Sequence, residues 1–138
     1  MTGAAAPLPT VLLGDADSGH AEGLRDALRR EGFRTLMARD GRQVLDVLGR
    51  RSPDAVLLAM SLPELDGLEV LEVMSRDALT TRVPVLIMGA DGEAGMRRAM
   101  ALGARRCMGR PLDLQEVVAE VRRQVDLQPD GAARRASV

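Results

Sequence analysis

Short apolar runs alternate with amphipathic segments five times along the chain. The apolar runs cover residues 10–14, 33–38, 54–59, 83–89 and 105–109. Continuous Val, Leu and Ile, instead of an apolar–polar alternation, are typical of parallel strands buried on both faces. The second run is more polar, as expected of an edge strand, and the fifth is short. The pattern therefore predicts five strands, each followed by a helix.

The intervals between these runs carry the signals of helices. The first helix places Ala21, Leu24 and Leu28 on one face and ends near Gly32. The sequence predicts N-terminal caps at the later helices, three of them with the spacing of a capping box: Asp40 with Gln43, Asp66 with Glu69, Asp113 with Glu116, and a simple cap at Asp91. Apolar stripes then predict the buried faces of the second and fifth helices: Val44, Leu45 and Leu48; Leu114, Val117, Val118, Val121 and Val125.

Five strand–helix units predict an α/β domain of the (βα)5 type. Right-handed crossovers give a three-layer, doubly wound parallel sheet, most simply in the strand order 2-1-3-4-5 of the flavodoxin-like folds. We expect this domain to span residues 10–127, with flexible ends at 1–9 and 128–138. A single core of this size suits the 138 residues of the chain.

Composition excludes several classes of function. The formal net charge of −1 gives no overall field for nucleic acid or an anionic membrane, and all 19 basic residues are arginine. Because Cys107 is the only cysteine, an intrachain disulfide is impossible and a cysteine-based zinc site is not expected. The start of the chain lacks the features of a signal peptide, so we expect a cytoplasmic protein.

The candidate chemistry lies where the strands end. In the predicted order, the loops after strands one, three, four and five meet in one pocket beside the switch point of the sheet. Reading along the chain, these loops supply the following residues: Asp15, Ala16 and Asp17; Ala59; Gly89; and Arg110 before Pro111.

Four segments resemble the receiver domain of bacterial two-component response regulators. They are VLLGDAD, PDAVLLAMSLPELDGLEV, VPVLIMGAD and GARRCMGRPLDLQEV, and the resemblance covers residues 10–127. It implies a CheY-like fold and a role in signal transduction. The family uses a carboxylate nucleophile after strand three, an acidic pair that helps to hold Mg²⁺, a hydroxyl after strand four and a lysine after strand five.

Carried onto this chain, the resemblance places unreactive residues at most of these positions. The phosphoacceptor position falls on Ala59, and the hydroxyl position falls on Gly89. The acidic pair falls on Asp15 and Ala16. The lysine position falls on Arg110, and the position of the aromatic that moves together with the hydroxyl in the family falls on Cys107. The resemblance thus implies a degenerate pseudo-receiver with no catalytic residue, and we expect it not to be an enzyme.

These substitutions lead to specific expectations for the pocket. We expect Mg²⁺ binding to be lost or weak, and Arg110 to pair with Asp15 as an internal cation. We expect Asp17 to cap the first helix, although it could replace the acid missing at Ala16. His20 is expected to be an exposed surface residue, and Cys107 a buried or half-buried one. Ser61 lacks a base that could activate it.

A second cluster is predicted to bind partners. Methionines and arginines suit an adaptable interface, and here they group on the fourth helix and fifth strand: Met96, Arg97, Met100, Arg105, Arg106, Cys107 and Met108. The resemblance implies a protein partner, such as a histidine kinase, another regulator or an output protein. A homodimer through the same face, extended by the fifth helix, is also open.

The sequence thus predicts a stand-alone, phosphorylation-independent regulator. Two alternatives remain. One is a phosphorelay receiver modified at a non-standard residue. The other is a sensor of a small ligand in the acidic pocket, where Arg110 and the amides around Gly89 would suit an anion. Ser137, after two arginines, also matches a basophilic kinase site.

Overall fold

The computed structural model describes residues 7–90 and 92–128. The cap predicted at Asp91 and the modification site predicted at Ser137 lie outside the described residues, as do most of the two expected flexible ends. Within the described part of the chain, no helix has the length and apolar character needed to cross a membrane.

Five parallel strands form one sheet in the order β2-β1-β3-β4-β5, which confirms the predicted topology. Their bounds lie within two residues of the predicted runs: β1 Thr10–Gly14, β2 Arg34–Ala38, β3 Ala55–Ala59, β4 Val85–Met88 and β5 Arg106–Met108. β4 begins later than expected because the Val83 N–H bonds to the Thr80 carbonyl in the preceding turn. Because all five strands are parallel, their carboxyl ends meet at one edge of the sheet.

Five helices connect and follow the strands: α1 Ser18–Arg30, α2 Gly41–Leu48, α3 Gly67–Arg76, α4 Gly92–Ala101 and α5 Leu114–Asp126. Four of them begin at aspartates whose carboxylates accept backbone N–H groups: Asp17, Asp40, Asp66 and Asp113. Of these four described helix starts, α3 alone has the complete capping box, between Asp66 and Glu69.

The capping boxes predicted for α2 and α5 are not formed, although both aspartate caps are. In α2 the Gln43 side chain accepts the Arg39 N–H instead of the N–H of Asp40. In α5 the Asp113 carboxylate accepts the N–H groups of Gln115 and Glu116. Each helix start is therefore stabilised by its aspartate without the reciprocal bond.

The core has two parts, one on each face of the sheet. Val11, Leu13 and Leu57 pack with α1 and α5, whereas their strand neighbours face α2, α3 and α4 on the other side. Both faces are covered, which is why the successive residues 11–14 of β1 and 55–58 of β3 are all buried. The sheet edge that carries the strand ends is thus held by a core on each side.

The turn between β3 and α3 is packed without room for a further atom. The Gly67 N–H bonds to the Met60 carbonyl at 2.9 Å. A Cβ added at Gly67 would lie 2.5 Å from the carbonyl oxygen of Ala59. Real Cβ atoms do not approach backbone oxygens so closely, so Gly67 fixes the position of the chain at the end of β3.

Replacement of Gly67 by alanine should therefore destabilise the fold. The new methyl group would push the Ala59–Met60 backbone out of place, at a cost of about 1–3 kcal/mol. Chemical unfolding followed by circular dichroism measures this free energy of unfolding. The matched control is Gly49→Ala, whose Cβ would meet nothing closer than 3.5 Å and whose effect should be neutral or slightly stabilising. Equal stability of the two variants would contradict the close packing at Gly67.

Candidate functional site

A cavity of about 740 Å³ opens at the carboxyl edge of the sheet, in the predicted place. It is lined by the ends of four strands and the first turn of α1: Asp15, Ala16, Asp17, His20, Ala59, Met60, Ser61, Met88, Gly89, Arg110, Pro111 and Leu112. All six residues predicted to share the pocket line this one cavity.

Asp15, directly after β1, is a buried carboxylate with both oxygens engaged. Its side chain is only 7% exposed. One oxygen, Oδ1, accepts the Asp17 N–H at 3.0 Å. The other, Oδ2, makes a short contact with Nδ1 of His20. The backbone N–H of Asp15 bonds to the Ala38 carbonyl of β2. Contacts with both the sheet and α1 therefore fix this carboxylate.

His20 is not the exposed surface residue that the sequence predicted. It stands in the first turn of α1, and its side chain is 29% exposed. Asp17 caps this helix by accepting the His20 N–H at 3.1 Å, which places the imidazole over the end of β1. The cap role predicted for Asp17 is confirmed. The aspartate–histidine spacing of five residues around a cap could have indicated the contact.

The second nitrogen of His20 is in an unusual position. Nε2 is buried and has no hydrogen-bond partner among the described residues. Buried imidazole nitrogens normally find a partner, because leaving one unpaired costs free energy. The Asp15 contact requires Nδ1 to carry a proton, since a carboxylate oxygen can only accept.

Arg110 does not pair with Asp15, contrary to the sequence prediction. Within residues 7–90 and 92–128, its side chain forms no salt bridge or hydrogen bond. Its guanidinium lies against Gly89 instead: a Cβ added there would be 3.3 Å from Nε and 3.4 Å from Nη2. Gly89 also has a φ of +76°, which glycine adopts most readily. The prediction failed because His20 already occupies the Asp15 carboxylate.

Alanines stand where a reactive pocket would need polar groups. Ala59 ends β3 opposite Met88 of β4, half-buried at the mouth of the cavity. Ala16 is exposed beside Asp15, and Ser61 is exposed two residues beyond Ala59. The Arg110–Pro111 peptide bond is cis. A methyl group cannot form a bond to phosphorus, so Ala59 offers no nucleophile.

The residues around the cavity do not fit a Mg²⁺ site. This ion takes carboxylate oxygens and water in octahedral geometry. Both oxygens of Asp15 already contact Asp17 and His20, and the alanines at 16 and 59 offer no side-chain ligand atom. Across the described residues, no group of three or more His, Cys, Asp or Glu side chains is arranged to hold a metal ion.

The predicted partner-binding residues divide into a buried and an exposed set. Met96 and Cys107 are half-buried and pack on one core, and Met108 packs on the other. The exposed members are Arg97, Met100, Arg105 and Arg106, and Met100 is 50% exposed. These four residues, which lie on α4, on β5 and directly before β5, form what we call the α4–β5 surface.

Hydrogen bonds at Glu120 and at Cys107 fix the edge of this surface. Arg106 donates to the buried Glu120 of α5 at 3.1 Å, and Arg123 and Gln124 bond to the same carboxylate. Cys107, half-buried as predicted, donates its thiol to the Met96 carbonyl at 3.9 Å. Burial raises the pKa of the Cys107 thiol, which disfavours the reactive thiolate.

Comparison with known proteins identifies a family. The model of the response regulator receiver domain matches residues 11–122. The chain is 33% identical over 118 residues to sporulation initiation phosphotransferase F of Bacillus subtilis, covering 85% of this chain and 94% of that protein. It is 34% identical over 113 residues to the response regulator MprA of Mycolicibacterium vanbaalenii, of which it spans 48%.

Solved structures share the fold. The receiver domain of the Francisella response regulator 1452 has a TM-score of 0.81 at 23% identity, covering 86% of this chain and 97% of that one. The receiver domain of the sensor histidine kinase PA1611 of Pseudomonas aeruginosa has a TM-score of 0.77 at 24% identity, covering 85% and 97%. That structure holds a magnesium ion in its active-site cleft.

The Asp15–His20 contact makes a prediction about the histidine tautomer. The neutral ring should carry its proton on Nδ1, because Asp15 accepts there and Nε2 has no partner among the described residues. Long-range ¹⁵N–¹H NMR spectra of the neutral ring assign the protonated nitrogen. Asp15→Ala should move the proton to Nε2, whereas Asp17→Asn, which keeps a good cap, should not. An Nε2-protonated ring in the unaltered protein would contradict the contact.

Proposed function

The chain belongs to the response regulator receiver family, and on that premise we propose that it is a pseudo-receiver that signals without aspartyl phosphorylation. It would act in the cytoplasm by binding other proteins, and the concentration of partner would set its state. Receiver domains interact with histidine kinases and other regulators, and these are the classes of partner we propose for it. A homodimer through the same surface belongs to the same proposal.

The observation that carries the proposal is the methyl group of Ala59 at the end of β3. Phosphoryl transfer to a receiver needs a nucleophile at this point of the sheet, and neither Ala59 nor Gly89 has a side chain that could supply one. The buried carboxylate of Asp15 accepts the Asp17 N–H and contacts His20. Arg110 then contributes a permanent positive charge.

The α4–β5 surface supports a partner-binding role. Three of its four members are arginines, and the fourth is the half-exposed Met100. One acidic group, Glu93, lies beside Arg97 at 3.6 Å, and both side chains are largely exposed to water. Such exposed pairs bind weakly and exchange readily for other partners. The chemistry favours a partner with an acidic rim and an apolar centre.

A second candidate function follows from the Asp15–His20 contact. A carboxylate that holds Nδ1 leaves Nε2 as the nucleophilic nitrogen of the ring, and histidine is one of the side chains that form covalent intermediates. The chain would then be a phosphorelay receiver modified at His20. Against this stands the burial of Nε2, since a phosphoryl donor could reach it only after the ring moves.

Incubation with acetyl phosphate and Mg²⁺, followed by intact mass measurement, separates these functions. We expect no increase of one phosphoryl group in the unaltered protein. We expect none with Ala59→Asp alone, because Ala16, Gly89 and Arg110 still lack the family's groups. The combination Ala59→Asp, Ala16→Asp, Gly89→Thr and Arg110→Lys should restore modification. The Bacillus subtilis phosphotransferase F, treated in parallel, controls the reagent.

Two results would overturn the proposal. Modification of the unaltered protein would refute it, and loss of that modification in His20→Gln would establish the second candidate. Efficient modification of Ala59→Asp alone would confine the loss to a single residue and contradict the account of the other three positions.

The α4–β5 surface makes its own prediction. Arg105→Glu reverses the charge of an exposed side chain that forms no hydrogen bond or ion pair with a described residue, so the fold should be unaffected. We expect the amount of protein that the variant retains from a lysate of the source organism to fall by about tenfold. The introduced carboxylate repels an acidic partner. Quantitative mass spectrometry measures the retention. The matched control is Arg42→Glu, which changes an exposed side chain of α2. It should retain the same proteins as the unaltered chain. Equal losses in both variants would refute the assignment.

A further inference from the structure

The cavity at the sheet edge has the size and lining of a small-molecule site. Its volume of about 740 Å³ lies within the usual range of about 300–1,000 Å³ for ligand pockets. Much of its wall is apolar: Ala16, Ala59, Met60, Met88, Pro111 and Leu112. Such walls with a few convergent polar groups are typical of sites that bind organic molecules.

Arg110 gives the cavity a group with which an anion can pair. Arg110 has a permanent charge and no ion-pair partner among the described residues. The Asp15 carboxylate is 7% exposed, and its oxygens accept from His20 and from the Asp17 N–H. Asp17 lies at the exposed rim, where water screens its charge. The guanidinium therefore offers a ligand N–H donors that no described carboxylate occupies, whereas the Asp15 oxygens are already hydrogen-bonded.

Gly89 determines where that guanidinium lies. Because no side chain stands at this position, Nε and Nη2 of Arg110 lie against its backbone, beside the last residue of β4. The planar guanidinium offers parallel N–H donors in the geometry that suits a carboxylate. The apolar wall formed by Ala59, Met60 and Leu112 lines the same cavity.

We propose that this cavity binds a small organic carboxylate. The carboxylate group pairs with Arg110, and the apolar body of the ligand packs on the wall that includes Ala59 and Leu112. Inorganic phosphate fits less well, because it brings more negative charge past Asp17 and has no apolar body. The proposal extends the proposed function, since a cavity without phosphoryl chemistry is free for a ligand, but it is tested separately by binding.

Titration of ¹⁵N-labelled protein with benzoate tests the proposal. We expect saturable chemical-shift changes at the amides of Ala59, Gly89 and Leu112. Benzamide has the same shape without the charge and should bind at least about tenfold more weakly, as should inorganic phosphate. Arg110→Gln should weaken benzoate binding by about tenfold or more. Arg82→Gln, which alters an exposed arginine outside the cavity, should leave it unchanged.

Three results would overturn the proposal. They are the absence of saturable shifts with benzoate at these amides, equal affinity in Arg110→Gln, and tighter binding of phosphate than of benzoate. Because Arg110 is exposed and its side chain bonds to no described residue, its variant should unfold at the same denaturant concentration as the unaltered protein. Failure of benzoate to bind would leave the phosphorylation experiment unaffected, so the two proposals can fail independently.

Discussion

The contact of the Arg110 guanidinium with the backbone of Gly89 is the constraint on which the chemistry of this cavity depends. A Cβ at Gly89 would stand 3.3 Å from Nε, closer than nine in ten real Cβ contacts. A side chain there would require the guanidinium to shift by a few tenths of an ångström. The two residues are therefore matched: the missing side chain at 89 makes room for the larger cation at 110. Together they give this edge of the cavity one planar, permanently charged group.

The second fixed element is the Asp15–His20 pair, and it acts on the opposite side of the same cavity. A receiver that holds a divalent cation needs free carboxylate oxygens at this point. Here the cap at Asp17 orients α1 so that His20 occupies one oxygen of Asp15, and the Asp17 amide occupies the other. The carboxylate is thus hydrogen-bonded within the chain. The cavity combines this engaged carboxylate with an arginine that has no ion-pair partner among the described residues and with apolar walls, which differs from an acidic metal pocket.

Much of the fold could be predicted from the sequence, because burial on both faces leaves continuous apolar runs and aspartates mark the helix starts. The strand order and the grouping of the pocket residues follow from the same topology. The pairing of Asp15 was predicted wrongly. A long arginine can reach several partners, and its choice depends on which carboxylate is already occupied. The position of His20 in the first turn of a helix predicts an exposed side chain. The inward turn of its ring depends on the Asp17 cap and the Asp15 carboxylate. The predictions of capping boxes at Asp40 and Asp113 were also wrong, because spacing does not determine which N–H a side chain accepts. Gln43 accepts the Arg39 N–H, and Asp113 caps α5 without a reciprocal bond.

We propose that internal groups of the chain take the place of metal-dependent chemistry at the carboxyl edge of the sheet. The α4–β5 surface and the cavity could each acquire a new use on a scaffold whose core and β3–α3 turn are kept. The most direct test is a Mg²⁺ titration of ¹⁵N-labelled protein, followed at the amides of Ala16 and Ala59. The account predicts no saturable shift of these amides at millimolar Mg²⁺. A saturable shift of both, abolished by Asp15→Asn, would show that the Asp15 carboxylate still binds the ion and would contradict the claim.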